Sequence, residues 1–166
     1  MIKVYDYRPT KDKSYMISYK SEEVGVLQYK NYFSSKAEFI LHDHSRYFVS
    51  PKSFWSNTIE VKKEDAVVLD IKMNWKGQLG IVMHHRGRDL NLILKHQGFF
   101  KKGFTLLDQD HHEVALIHNN STWNPQSSTG TIQTLKPFDE VHSGPVLLLA
   151  ILYGVQHYYK QMSAVG

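Results

Sequence analysis

The feature that most constrains this chain is its last long run, Pro145 to Met162. Between Val146 and Val155 it reads Val-Leu-Leu-Leu-Ala-Ile-Leu-Tyr-Gly-Val, without one charged or strongly polar side chain. An amphipathic surface helix shows a polar residue every third or fourth position. A helix over this run shows none, so it has to be surrounded on all sides, by protein or by lipid. Ten residues at about 1.5 Å each span roughly 15 Å, about half of a hydrocarbon core of about 30 Å. Extending the run through Tyr158 and Tyr159 carries Gln156 and His157 along. Burial in protein is therefore the expectation, and membrane insertion the alternative. The start is well signalled. Ser143 or Gly144 can cap it, and Pro145 falls in the first turn, where the N–H it lacks would be unpaired anyway. Asp139 and Glu140 precede the helix and Lys160 falls near its end, as the helix dipole favours.

Almost everything before this run reads as short β-strands. Ile2 to Tyr7 is a plausible opening strand, ended by Arg8-Pro9. Ser14 to Lys20 alternates, with Tyr15, Ile17 and Tyr19 on one face. Glu23 to Lys30, Ala37 to Leu41, Arg46 to Ser50 and Phe54 to Lys62 follow, separated by polar breaks. The clearest strand puts Val67, Leu69, Ile71, Met73 and Trp75 on one face, and Val68, Asp70, Lys72 and Asn74 on the other. Gln78 to Arg86 and a strand through Leu90, Leu92 and Leu94 come next. Phe104 to Asp108 and Glu113 to His118 form a hairpin around Gln109 to His112. A polar loop holding Trp123 and Pro125 precedes a last strand, Thr131 to Lys136. Roughly a dozen strands with turn signals at about eight- to twelve-residue spacing argue for a sandwich or a closed barrel. A barrel of more than about eight strands has an interior too wide for its own side chains, and a helix apolar all round is a suitable filler. The expected fold is thus mainly β: a closed antiparallel barrel of about twelve strands around a central hydrophobic C-terminal helix. There is also an internal echo. Phe39-Ile40-Leu41-His42-Asp43 and Phe104-Thr105-Leu106-Leu107-Asp108 share Phe-x-Leu-x-Asp, each followed at a distance by a tryptophan, Trp55 and Trp123.

The hairpin Phe-Thr-Leu-Leu-Asp-Gln-Asp-His-His-Glu-Val-Ala-Leu-Ile (Phe104 to Ile117), the tryptophan loop, the last strand, the acidic residues and the Leu/Ala/Ile-rich helix occur here in that order. Together they resemble the tubby C-terminal-like superfamily, which includes the tubby domain, the phospholipid scramblases and the LURP-one-related proteins. The likeness covers most of the chain in length and order of elements, and is specific in Phe104 to Ile117 and Pro145 to Gln156. It implies a single domain over residues 1–166, of the size of the compact LURP-one-like members, with twelve strands wrapped around a central helix. The family pattern usually has a glycine in the hairpin turn, where this chain has His111-His112. The functional implication is broad. Tubby domains bind phosphoinositides through basic residues on the barrel, scramblases act at membranes and bind calcium, and LURP-one-like proteins have no agreed biochemical activity. No lipid-binding residue of the family can be placed on a particular position of this chain.

The chain has 166 residues, enough for one domain with a substantial core, and no cysteine, hence no disulfide framework or thiolate metal site. Its start lacks the basic and apolar regions of a signal peptide, so a cytoplasmic location is expected, peripheral to a membrane if lipid is bound. A net charge of +4 permits weak attraction to phosphate surfaces, but the basic residues form no stripe or recognition motif for nucleic acid. There is no G-x-S-x-G, no phosphate-binding glycine loop and no H-E-x-x-H, so no enzyme is expected and no cofactor. Ten histidines invite a metal reading. His42 and His44 would share a strand face, whereas the adjacent pairs His84-His85 and His111-His112 would point to opposite faces. Asp108 and Asp110 read as turn formers before they read as calcium ligands, and no metal is expected. The candidate anion-binding residues are Arg86, Arg88, Lys101 and Lys102, in or beside turns that a barrel displays at its ends. Phe99 and Phe100, beside Lys101 and Lys102, make an apolar and cationic tip suited to an anionic membrane surface. The expected function is a non-enzymatic binding or interaction module whose partner is anionic phospholipid or a protein at the membrane surface, and not an integral membrane protein. The alternative is a small-molecule-binding barrel whose interior stays partly open.

Overall fold

A computed structural model describes residues 2–31, 34–74, 76–98, 103–120 and 129–165. Trp75, Phe99, Phe100, Lys101, Lys102, Trp123 and Pro125 lie outside the described residues. Twelve antiparallel strands follow one another around a closed barrel: β1 (Lys3–Thr10), β2 (Ser14–Tyr19), β3 (Glu22–Tyr29), β4 (Ala37–Leu41), β5 (Arg46–Pro51), β6 (Thr58–Lys63), β7 (Ala66–Met73), β8 (Leu79–His85), β9 (Arg88–His96), β10 (Gly103–Leu107), β11 (Glu113–Asn119) and β12 (Gly130–Thr134). Each pairs with its neighbours in sequence, and β12 closes on β1 with Tyr5 opposite Ile132. A 3-10 turn, Lys136–Glu140, leads into the single α-helix, α1 (Gly144–Val165).

The alternation read from the sequence sets the register. Tyr15, Leu27, Phe39 and Tyr47 stand opposite one another across β2 to β5, and Ile59, Ile71, Ile81 and Leu92 across β6 to β9; all eight are buried. These rows line the inside because a one-residue slip would send a whole strand's apolar set into water. Leu69 and Ile71 of the strand read as clearest are fully buried, while Val67 and Met73 near its ends are partly buried.

The helix occupies the interior. Every residue from Val146 to Gln156 is buried, and all of them but Gly154 are at most 1 % exposed. Two glycines let it approach the wall. A methyl group on Gly154 of α1 would come within 3.0 Å of Leu94 Cδ2, and one on Gly25 of β3 within 2.9 Å of Leu149 Cδ1. Protein, not lipid, therefore surrounds the apolar run, and no helix among the described residues is long and apolar enough to cross a membrane.

Several strand boundaries differ from the sequence reading; the last strand, read as Thr131 to Lys136, ends at Thr134, and Lys136 opens the 3-10 turn. β1 does not end at Arg8-Pro9 but continues to Thr10, with Pro9 opposite Tyr15 of β2. On its other flank β1 is paired with β12 only from Lys3 to Tyr7. Pro9 thus sits where one side of the strand has no ladder to serve, the place where a residue without an N–H is tolerated. β6 begins at Thr58, so Phe54 and Trp55 are not strand residues. They lie in the β5–β6 connection, where Ser56 Oγ accepts the Thr58 N–H at 3.1 Å.

The internal echo coincides with a structural one. β4 and β10 stand six places apart in the ring of twelve, and Phe39 and Phe104 are both buried. Asp43 and Asp108 each accept a backbone N–H two residues on, from Ser45 and from Asp110, at 2.9 Å. Each turn then holds a histidine in the left-handed region, His44 at φ 69° and His111 at φ 64°. His111 thus adopts the backbone conformation that glycine adopts most readily, and the Asp108 carboxylate ties that turn down.

Candidate functional site

In a barrel whose strands run up and down in order, alternate connections share an end. At the proximal end, where α1 begins, lie the β2–β3, β4–β5, β6–β7, β8–β9 and β10–β11 turns and the 3-10 leader. At the distal end, where α1 finishes, lie the connections after β1, β3, β5, β7, β9 and β11.

The two ends differ in chemistry. The described residues of the distal connections include Lys11, Lys13, Lys30, Lys36, Lys52 and Lys76, and the only acid among them is Asp12. Proximal turns and leader carry Asp43, Glu64, Asp65, Asp108, Asp110, Asp139 and Glu140 against Lys20, Arg86 and Lys136. The barrel is therefore charged along its axis, basic at the distal end and acidic at the proximal one.

Phe54 and Trp55 form the tip of the distal β5–β6 connection. They are 89 % and 90 % exposed, and their rings meet edge to face at a centroid distance of 4.9 Å. Scattered apolar side chains on a surface are ordinary, but two adjacent aromatics almost wholly in water are not explained by packing. Behind them a cavity of about 610 Å³ lies between Phe54, Ile59, Met73, His157 and Gln161. The last turns of α1 close this end from within. The Tyr15 hydroxyl donates to Gln156 Oε1 at 3.2 Å, the Tyr153 hydroxyl to the Ser35 carbonyl at 2.7 Å, and Lys160 Nζ stands 3.6 Å from the Tyr29 ring centre. Burial of the Lys160 ammonium lowers its pKa to about 8.

At the proximal end, Arg86 and Gly87 make the two-residue turn between β8 and β9, both with positive φ, 48° and 75°. This is the turn whose twist matches that of its flanking strands. The adjacent histidines of β8 point to opposite faces, as the alternation requires. His84 faces outward and is gripped between Asp70 of β7 and Asp89 of β9, each at 2.8 Å from one ring nitrogen. The bond to Asp70, then that to Asp89, raises its pKa, which favours the imidazolium, the form with two N–H groups to donate. His85 faces the barrel mouth and stacks on His142 of the leader at 4.1 Å. Beside this stack a cavity of about 640 Å³ is lined by Arg86, Arg88, Glu140 and the apolar Met83, Leu92 and Val114.

Of the candidate residues, Arg86 and Arg88 both line the proximal cavity, while Lys101, Lys102, Phe99 and Phe100 lie outside the described residues. Lys62 and Lys63, at the proximal end of β6, face Glu60 at 3.8 Å and the Tyr47 ring at 5.5 Å. His42 and His44 do not share a strand face. They sit in the β4–β5 turn, where the Ser45 hydroxyl and N–H both donate to Asp43 Oδ1 and lower that carboxyl's pKa. Among the described residues one group has metal-ligand spacing, Asp108, Asp110 and His112, with ligand atoms within 4.8 Å of one another. Its geometry is that of a turn, since Asp108 Oδ1 accepts the N–H groups of Asp110 and His112 at 2.9 Å each.

Sequence reasoning missed the Phe54–Trp55 tip because aromatic residues suit strands, and missed the charge axis because it weighed the lysines pair by pair. The signal for the axis was present: the distal lysines occupy alternate connections. Comparison with known proteins finds no matching family model, no similar curated protein and no similar solved structure.

Proposed function

We propose that this chain is a non-enzymatic binding module that docks its distal end on anionic phospholipid surfaces. The observation that carries the reading is the Phe54–Trp55 pair, 89 % and 90 % exposed at a loop tip on the lysine-rich end of the barrel. Aromatic rings settle at the headgroup level of a bilayer, and each lysine near an anionic surface contributes about 1 kcal/mol. The acidic proximal end would face away from the membrane, so the charge axis orients the barrel as well as attracting it. The likeness to the tubby C-terminal-like superfamily, with its lipid-binding and membrane-acting members, points the same way.

Flotation with vesicles of phosphatidylcholine alone, or mixed with phosphatidylserine, tests this. Association should require the anionic lipid, weaken in high salt as surface charges are screened, and fall sharply in the double variant Phe54→Ser/Trp55→Ser. Both side chains are exposed, so that variant should melt like the parent. Equal flotation of parent and variant, or none with anionic vesicles, would remove the reading. The alternative of a small-molecule-binding barrel with a partly open interior has less support, since the buried run of α1 occupies that interior.

A further inference from the structure

We propose that the proximal cavity is a second binding site, specific for a small amphiphile: one oxyanion head, carboxylate or phosphate, on a short apolar chain. The site is independent of the distal docking end and lies across the barrel from it.

The argument begins with the charges. Two guanidiniums, Arg86 and Arg88, flank Gly87 at the rim, and neither has a hydrogen-bond or ion-pair partner among the described residues. Three carboxylates also line the cavity. Asp89 is held by His84 on the outer wall at 2.8 Å, and Asp108 by the N–H groups of its own turn and by His112 at 3.5 Å. Their acceptor oxygens are engaged although their charge remains, and Glu140 has no hydrogen-bond or ion-pair partner among the described residues. The fork of a guanidinium matches the paired oxygens of a carboxylate or phosphate, so two unengaged forks at one rim select an oxyanion.

The floor chooses the rest of the ligand. Met83, Leu92 and Val114 are 6 %, 2 % and 2 % exposed, and they form an apolar base beneath the arginines. A volume of about 640 Å³ lies within the range of small-ligand sites, about 300–1,000 Å³. A bare inorganic anion would use the rim and leave the floor in contact with water; a neutral alkyl chain would use the floor and leave the rim unsatisfied. A head and chain together use both. His85 and His142 stand at the side of the same cavity, one on the wall and one on the leader. The cavity is therefore built from three segments of the chain: β8–β9, β10–β11 and the leader.

The test is calorimetric titration of the full chain with octanoate and octyl phosphate, each below its micelle-forming concentration, and with inorganic phosphate and octanol. Saturable one-to-one binding of at least one of the two amphiphiles is expected, with inorganic phosphate and octanol each weaker by about tenfold or more. Whether octanoate or octyl phosphate binds tighter identifies the head. The double variant Arg86→Gln/Arg88→Gln should lose about tenfold or more in affinity, while Lys72→Gln on the outer wall keeps it. Both arginines are exposed, so their replacement should leave the melting curve intact. Amide shifts in an NMR titration should gather at Leu92, Val114 and His142. The proposal falls if neither amphiphile binds saturably, if the arginine variant binds as well as the parent, if inorganic phosphate binds as tightly as octyl phosphate, or if the shifts gather at the distal end. No bilayer is present in this titration, so its outcome and that of the vesicle experiment are independent.

Discussion

Truncating three consecutive residues of α1, Leu147→Ala, Leu148→Ala and Leu149→Ala, one at a time, tests the central packing claim. Successive helical residues point about 100° apart, so the three side chains spread over about 200° of the circumference. All three are at most 1 % exposed. Each substitution removes about three methylene equivalents, a transfer loss of roughly 2.4 kcal/mol at about 0.8 kcal/mol each. A cavity term adds to this when the surroundings do not collapse, and buried leucine truncations then cost about 2.7–5 kcal/mol. A closed ladder of twelve strands cannot move inward at one place without breaking its own hydrogen bonds, so values of about 3–5 kcal/mol are expected at all three positions. Urea denaturation with a common slope gives each value directly. A helix lying on the outside of the barrel would have a tolerant side, where truncation costs under about 0.5 kcal/mol. One position of the three costing less than about 1 kcal/mol would refute enclosure on all sides.

Three further outcomes follow from local geometry. A raised folded-state pKa for His84 means that the Asp70–His84–Asp89 grip stabilises the fold at pH values below the ordinary histidine value. That contribution is lost as pH rises through the folded value. Because the three side chains are 28 %, 35 % and 53 % exposed, the gain over His84→Gln should be no more than about 1 kcal/mol below the ordinary histidine value and should fall away as pH rises through the raised folded value; a pH-independent difference in urea midpoints would contradict it. Gly130→Ala places a methyl group against the Tyr7 hydroxyl and the His118 carbonyl, which belongs to a paired strand and cannot yield. It should cost about 3 kcal/mol and break the 3.0 Å bond from the Tyr7 hydroxyl to Asn119, with a melting temperature close to the parent's as the contrary result. In an NMR titration of the lysine side chains, one ammonium should titrate near pH 8 and disappear from the spectrum in Lys160→Arg. A full set titrating together near the ordinary lysine value would show that the distal mouth does not desolvate Lys160.

The Phe54–Trp55 tip and the Arg86–Arg88 rim show how local and global information divide. Gly87 behind Arg86 marks a two-residue turn in any sequence, so the position of the two arginines beside a turn was legible. Which other groups would meet them was not, because Asp108, Val114 and His142 come from a turn, a strand and a leader distant along the chain and adjacent only after closure. Phe54 and Trp55 were misplaced on a strand because residue preference is local, whereas the end of β5 is set by where its ladder with β6 stops at Pro51 opposite Ile59.

By itself, the sequence determined the alternation that makes inner and outer faces, the turns that separate twelve strands, and a helix too apolar on every side to face water. These follow from side-chain periodicity and from the cost of exposing apolar surface, both local properties of the chain. Only the tertiary structure decided that β1 passes through Pro9, that the described connections at one end carry mostly lysine and those at the other mostly acids, and that two arginines stand over an apolar floor without ion-pair or hydrogen-bond partners among the described residues. Ring closure brings those residues together, and closure depends on all twelve pairings at once.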